Sequence, residues 1–114
     1  MTLSSFLLRP AETSVISGAV TDSVITASPA ILLGFSAGGI CGTYDFLYKF
    51  TIKNGNTILF ENIGNGPYPV SGINQLPNGI DCPNGIKVTT AKRLASDNND
   101  GIANARLTIN YILK

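Results

Sequence analysis

The side chains that could do chemistry in this chain are few. The sequence has no histidine, which removes the serine–histidine and cysteine–histidine nucleophile pairs and the commonest metal ligand. Of its seven acidic residues, only Asp97 and Asp100 lie close together, within the polar run 96–101. An acid–base pair needs a rigid, partly desolvated frame, which such a loop does not offer. The sequence therefore predicts a protein that is not an enzyme.

Metal and phosphate sites are equally poorly represented. Residues 97–101 match the start of a calcium loop only in part, because the glycine expected at its sixth position and the glutamate at its twelfth are missing. The glycine-rich stretches at 38–39 and 64–66 have no helix behind them and fit neither phosphate-loop pattern. We therefore expect no metal and no cofactor.

Cys41 and Cys82 are the only cysteines, too few for the disulfide framework of a small secreted domain. Two free, partly buried thiols are the default interpretation. A single bridge stays open, because both residues lie near predicted strand ends and a sequence does not give their separation.

The clearest structural pattern is an alternation over residues 44–53. Its apolar parity consists of Tyr44, Phe46, Tyr48, Phe50 and Ile52, and its other parity is mostly polar. Side chains alternate between the two faces of a strand, so this run predicts a β-strand with its rings packed in a core rather than stacking sugars. An Asn-Gly pair at 54–55 and a return at 57–61 predict a hairpin.

Other segments are predicted as short strands and loops. Residues 13–28 are expected to form two strands divided by a turn near Asp22, and residues 30–37 one strand with Ile31, Leu33 and Phe35 on a shared parity. Residues 62–75 are rich in glycine and proline, which predicts a long surface loop with at most one short strand around Tyr68. Residues 91–95 could form a helical turn.

The four-residue motif Pro-Asn-Gly-Ile occurs at 77–80 and again six residues later, at 83–86. Each Asn-Gly allows a left-handed turn. A final strand is predicted over 104–113. The apolar parities of the confident strands give a predicted core of Tyr44, Phe46, Tyr48, Phe50, Ile86, Val88, Leu107, Ile109 and Tyr111.

These elements predict an all-β protein, a two-sheet antiparallel β-sandwich, with jelly-roll topology favoured over an immunoglobulin-like sandwich. We expect an extended N-terminal arm at 1–12 and one β-sandwich domain at 13–114. Charged residues make up only 13% of the chain, about half the usual share of roughly 25%. Desolvating a neutral polar surface costs less free energy than desolvating a charged one, which suits a protein that binds another protein.

Other partner classes are disfavoured. The net charge is +1 and the basic residues are scattered, so nucleic acid is not an expected partner. The longest apolar window, residues 30–42, is too short for a membrane span and is broken by glycine, and no secretory signal is visible at the N-terminus.

The segment 76–88, with its two Asn-Gly-Ile turns, followed by a closing strand that ends in Tyr111, resembles the C-terminal half of small structural proteins in tailed-bacteriophage virions. The Ser/Thr/Val-rich opening and the hairpin of Phe46 to Phe60 are similar in outline, and together the likeness covers about three quarters of the chain. It does not cover the arm. Its motifs are turn chemistry and strand parity.

The resemblance implies a capsid decoration, or cement, protein on the surface of the virion. It implies a homotrimer bound to the major capsid protein, made in the bacterial host cytoplasm. Two alternatives stay open: a carbohydrate-binding, receptor-recognition module of a fibre, and a tail or head-completion protein. The residues expected to contact a partner are Phe6, Leu7, Leu8 and Arg9 of the arm and Tyr68 of the long loop.

Overall fold

The computed structural model describes residues 11–39, 46–66, 72–92 and 105–114, and these residues form strands and turns without a helix. The strands are β1 (Glu12–Ser17), β2 (Val20–Thr26), β3 (Ala30–Gly39), β4 (Phe46–Asn54), β5 (Thr57–Gly66), β6 (Gly72–Cys82), β7 (Ile86–Lys92) and β8 (Ala105–Leu113). The first strand thus begins at the last residue of the predicted arm.

The eight strands form two four-stranded antiparallel sheets that pack as a sandwich, which confirms the predicted fold class. Sheet A has the order β1-β8-β3-β6 and sheet B the order β2-β7-β4-β5. The antiparallel pairs are nested along the chain, since β1 pairs with β8, β2 with β7, β3 with β6 and β4 with β5, as in one long folded-up hairpin. These four pairs belong alternately to sheet A and sheet B.

The core lies between the two sheets. Rings from both sheets meet there: Phe35 of β3 packs edge-on against Phe50 of β4, with ring centroids 5.7 Å apart, and lies 4.9 Å from the ring of Phe60. Seven of the nine predicted core residues are buried: Tyr48, Phe50, Ile86, Val88, Leu107, Ile109 and Tyr111. Tyr44 and the side chain of Phe46 lie outside the described part of the structure.

Tyr48 connects the two sheets through its hydroxyl group. The side chain starts on β4 of sheet B, and its O–H group can donate to the carbonyl oxygen of Gly38, at 2.8 Å, or of Arg106, at 2.6 Å. Both acceptors belong to sheet A, where Gly38 and Arg106 are paired in the β3–β8 ladder. Burial raises the pKa of Tyr48 to about 12.

The predicted hairpin is present as β4–β5. Its ladder ends at the pair Asn54–Thr57, and Gly55 has a φ of 58°. A positive φ at the first loop residue alone is the pattern of a type II′ turn. This loop contacts the second Asn-Gly pair, since the N–H group of Asn84 donates to Oδ1 of Asn54 at 3.0 Å and the N–H of Gly55 donates to the carbonyl of Gly85 at 3.2 Å.

The prediction that Ile31, Leu33 and Phe35 of β3 share one parity is wrong. The register of β3 with β8 shifts between Leu32 and Gly34, so Leu33 is an extra residue in the ladder. This β-bulge places Leu32 and Phe35 in the core, while Ile31 is only half-buried. A strict alternation cannot place both Leu32 and Phe35 on one face, because they are three residues apart.

The predicted long loop at 62–75 is largely strand. β5 continues to Gly66 and β6 begins at Gly72, because β4 and β3 offer partners along the whole length of these segments. The glycines in this region are tolerated in paired strands, although glycine weakens a strand intrinsically. Residues 67–71, including Tyr68, lie outside the described structure.

Two smaller predictions also need correction. The division between β1 and β2 falls at Gly18, which has a φ of 72°, whereas Asp22 lies inside β2 at a register irregularity. Ala91 and Lys92 end β7 rather than starting a helical turn, because both are paired with β4. Residues 93–95 are outside the described structure.

The two Asn-Gly repeats differ in role. Gly85, with a φ of 85°, turns the chain from β6 into β7, as predicted. Gly79 also has a positive φ, 68°, but it lies within β6, opposite the shifted stretch of β3. A Cβ atom on Gly79 would be 2.4 Å from Cγ2 of Ile31, so glycine lets the bulged segment approach β3 closely.

Candidate interaction surface

None of the residues predicted to contact a partner can be placed. Phe6, Leu7, Leu8, Arg9 and Tyr68 all lie outside the described residues, and their roles remain predictions. The acidic pair of the polar run at 96–101 lies outside as well. Any candidate surface must therefore be built from the two outer faces of the sandwich and its strand edges.

Within the described ranges, no three His, Cys, Asp or Glu side chains come together in a way that could hold a metal ion. Cys82 is a free and buried thiol, as the default interpretation predicts, and burial raises its pKa. Its possible partner, Cys41, is outside the described residues. A buried thiol of raised pKa is unreactive, so Cys82 is a packing residue.

The two described rings of the aromatic strand do not offer a sugar-binding platform. Tyr48 and Phe50 are both buried, in agreement with the predicted core role. The large apolar side chains that are exposed in the described structure are aliphatic: Val15, Val24, Ile58 and Ile63. All four belong to edge strands, β1, β2 and β5.

The outer face of sheet A, here called face A, carries no charge along its middle. Its described side chains come from alternate positions of β1, β8 and β3, and they are Thr13, Val15, Ser17, Thr108, Asn110, Ile112, Ile31 and Ser36. Thr13 donates from Oγ1 to Oδ1 of Asn110 at 3.0 Å. Among the described side chains of this face, charges stand only at the two ends, with Arg106 at one end and the ion pair of Lys114 and Asp81 at the other.

The outer face of sheet B, here called face B, is charged instead. It presents the charged residues Lys49, Lys53, Lys87, Glu61 and Asp22, with the exposed aliphatic side chains of Val24, Ile58 and Ile63 among them. Two of the lysines, Lys53 and Lys87, are direct cross-strand neighbours, an arrangement that is unfavourable for like charges.

Asp22 compensates the repulsion between those two lysines. Its Oδ1 lies 2.9 Å from Nζ of Lys53, and its N–H group donates to Oγ1 of Thr89 at 3.0 Å. The hydrogen bond and charge of Lys53, with a further contribution from Lys87, hold the pKa of Asp22 below its usual value of 3.8. The φ of 47° at Asp22 is a left-handed conformation that aspartate tolerates better than most residues.

The two faces differ in the free-energy cost of covering them. Covering face B would desolvate lysine and carboxylate groups, which costs free energy unless each finds a partner. Covering the middle of face A removes water only from hydroxyl, amide and aliphatic groups. The sequence signal for this face is the uncharged stretch Thr108, Asn110 and Ile112 on the outward parity of the final strand, which alone does not reveal that its neighbours are also uncharged.

No family model matches this chain, and neither the curated proteins nor the solved structures include a match to it. In the described part of the chain, no helix has the length and apolar character needed to cross a membrane.

Proposed function

We propose that this chain is a non-enzymatic structural protein of a tailed-phage virion, a capsid decoration protein that binds the assembled head through face A. The observation that carries the proposal is the uncharged middle of face A, in contrast to the charged face B on the opposite side of the sandwich. Decoration requires no chemistry. It requires only that contact area across neighbouring capsid subunits favours the assembled shell over free subunits.

The strand order supports the jelly-roll part of the proposal. A jelly roll is an eight-stranded double sheet. Rolling up one long hairpin of eight strands produces the pairs β1–β8, β2–β7, β3–β6 and β4–β5, which are the pairs present in this chain. Jelly rolls occur in viral capsid proteins and also in lectins, so the fold alone does not choose between decoration and sugar binding. The choice of decoration rests on face A and on the resemblance in the turns of residues 76–88.

The proposed partner is the major capsid protein, and the proposed assembly is a homotrimer on the outside of the head. Repeated copies on a symmetric shell would gain affinity from several simultaneous contacts. Electron cryo-microscopy of the virions that contain this chain tests its place directly. Hundreds of copies over the head support decoration, whereas six or twelve copies at one vertex indicate a head-completion or tail protein.

The role of face A can be tested with a matched pair of variants. Thr108→Lys places a charge in the middle of face A, where Thr108 lies between Val15 and Ser36, and should reduce co-sedimentation with undecorated heads at least about tenfold. Thr51→Lys makes the same change on face B and should bind normally. Equal binding by both variants would contradict the use of face A, and binding of the unmodified chain to a glycan array instead of heads would favour the fibre-module alternative.

The predicted arm is tested separately. Because β1 begins at Glu12, deleting residues 1–9 should leave the sandwich folded. If Phe6, Leu7, Leu8 and Arg9 contact a neighbouring subunit, the deletion will weaken trimer formation, measured by light scattering, or head attachment. Unchanged assembly and attachment would show that the arm makes no such contact.

A further inference from the structure

Strand β1 is an edge strand without the features that normally prevent edge-to-edge pairing. Its ladder with β8 runs from the pair Glu12–Tyr111 to the pair Ser17–Arg106 with no irregularity. Residues 13–17 carry no charge, and Val15 at their centre is 57% exposed. The one charged residue of β1, Glu12, stands at the end of the strand, so the even, uncharged stretch 13–17 is a template for another strand.

The other edge strands differ from β1 in this respect. The ladder of β2 has two register irregularities, and β2 also carries Asp22. The ladder of β5 is irregular opposite Ile52 and Lys53, and β5 carries Glu61. The β6 ladder is shifted opposite the bulge of β3. Bulges and charges of this kind are the usual protection of sheet edges, so β1 is the edge left open among the described strands.

The backbone groups of β1 that do not pair with β8 can be identified from one hydrogen bond. The N–H group of Gly18 donates to the carbonyl of Ala105 at 3.0 Å, one step beyond the pair Ser17–Arg106. Hydrogen-bonded and non-hydrogen-bonded pairs alternate in an antiparallel ladder. The backbone N–H and C=O groups of Thr13, Val15 and Ser17 therefore point away from β8.

We propose that this edge pairs with β1 of a second copy of the chain, antiparallel and centred on Val15. In that register Val15 faces Val15 of the other copy, and Thr13 faces Ser17. These are the positions whose backbone groups point outward, so about six hydrogen bonds form without any register adjustment. No charge is buried. The two copies are related by a two-fold axis and use the same surface.

The inference does not depend on the proposed function. A two-fold contact through β1 uses a different symmetry axis from a homotrimer, so it would join copies that belong to neighbouring trimers. A short edge buries little area, and the pairing is accordingly weak between two free copies and stronger in an array that holds many of them.

Cysteine cross-linking of the free full-length chain tests the pairing. Residues of a hydrogen-bonded pair have Cα atoms about 5.5 Å apart, a separation that a disulfide spans. Val15→Cys should give a covalent dimer on mild oxidation. The unmodified chain, which keeps Cys41 and Cys82, measures background oxidation, and Val24→Cys places a thiol at an equally exposed valine on the β2 edge.

The register is tested with two further cysteines. Thr13→Cys and Ser17→Cys should each dimerise slowly alone and should form a mixed dimer at least about tenfold faster when combined, because each faces the other across the two-fold axis. A Val15→Cys variant that stays monomeric would show that the edge is covered or unused. Equal rates for Val15→Cys and Val24→Cys would show that the collisions are random. Either result overturns the proposal.

A charge test needs no cross-link. Thr13→Lys/Ser17→Glu places opposite charges across the axis and should tighten self-association, measured by sedimentation equilibrium, whereas Thr13→Lys/Ser17→Lys should weaken it. Both positions are at an exposed edge, so circular dichroism should show that both variants are folded. Identical self-association by the two variants would also overturn the proposal. Head binding of Thr108→Lys is a separate measurement, so the two proposals can fail independently.

Discussion

Gly64 lies directly across the β4–β5 ladder from Tyr48, and the absence of a side chain at Gly64 makes room for the tyrosine ring. A Cβ atom at position 64 would be 2.5 Å from Cζ of the ring and 2.7 Å from the hydroxyl oxygen, closer than real contacts allow. The glycine thus fixes the path by which Tyr48 crosses the core to the carbonyls of Gly38 and Arg106.

Replacing Gly64 should disturb that path. We expect Gly64→Ala to lower the free energy of unfolding by about 1–3 kcal/mol, because the methyl group forces the Tyr48 ring to move in a packed core. Urea denaturation measures the loss, and Glu61→Ala on the exposed side of the same strand serves as the control. In a Tyr48→Ala background the cost of Gly64→Ala should shrink, and an unchanged cost would contradict a clash with the ring.

Removing only the hydroxyl of Tyr48 should also destabilise the fold. Tyr48→Phe keeps the ring and leaves the carbonyl groups of Gly38 and Arg106 without this donor, for an expected loss of about 1–2 kcal/mol. Thermal and urea denaturation at pH 8 check the value. A variant as stable as the unmodified chain would show that the hydroxyl makes no net contribution.

The same residue gives an expected alkaline dependence. The pKa of Tyr48 is raised from 10.0 to about 12, so the folded state holds the proton more tightly than the unfolded state. Its contribution is complete below pH 10 and is lost as the pH rises through 12. The stability difference between the unmodified chain and Tyr48→Phe should therefore narrow above pH 10, and a constant difference up to pH 12 would contradict the burial of this hydroxyl.

The aromatic cluster between the sheets should be the most sensitive part of the core. Phe50→Ala removes a ring that packs against Phe35, and we expect a loss of about 3–5 kcal/mol. Chemical denaturation measures it, with the exposed Ile63→Ala on β5 as the comparison. A loss below about 1 kcal/mol at Phe50 would place this ring outside the core.

Asp22 should support the fold only where it is ionised. Asp22→Asn keeps a side chain that tolerates the left-handed backbone but leaves Lys53 and Lys87 without a compensating charge. Because the folded pKa of Asp22 is lowered, its contribution is present above pH 3.8 and is lost as the pH falls through the lower folded value. The unmodified chain should be the more stable of the two at pH 6 in low salt, and urea denaturation should show their stabilities converging as the pH falls below the folded pKa of Asp22, or in about 1 M salt.

Part of this fold could be predicted from the local pattern of apolar and polar residues in the sequence. The alternation that buries Tyr48, Phe50 and Ile52 and the final strand with Leu107, Ile109 and Tyr111 are both decided by burial on one face of a strand. The Asn-Gly turns were also predictable, because the backbone conformations of Gly55 and Gly85 are intrinsic to glycine. The two-sheet architecture follows from many short strands with one apolar face each.

Other features depended on partners far away in the chain. The strand character of residues 62–66 comes from pairing with β4, and the parity change at Leu33 comes from a bulge that fits β3 between β8 and β6. Neither feature leaves a local signal in the sequence. An extra residue in a ladder changes the face to which every later side chain of the strand points, and it does so without changing the amino-acid composition of the strand. The uncharged face A and the open edge at Val15 likewise exist only once β1, β8 and β3 are neighbours, since strand order is set by long-range contacts rather than by the residues of any one strand.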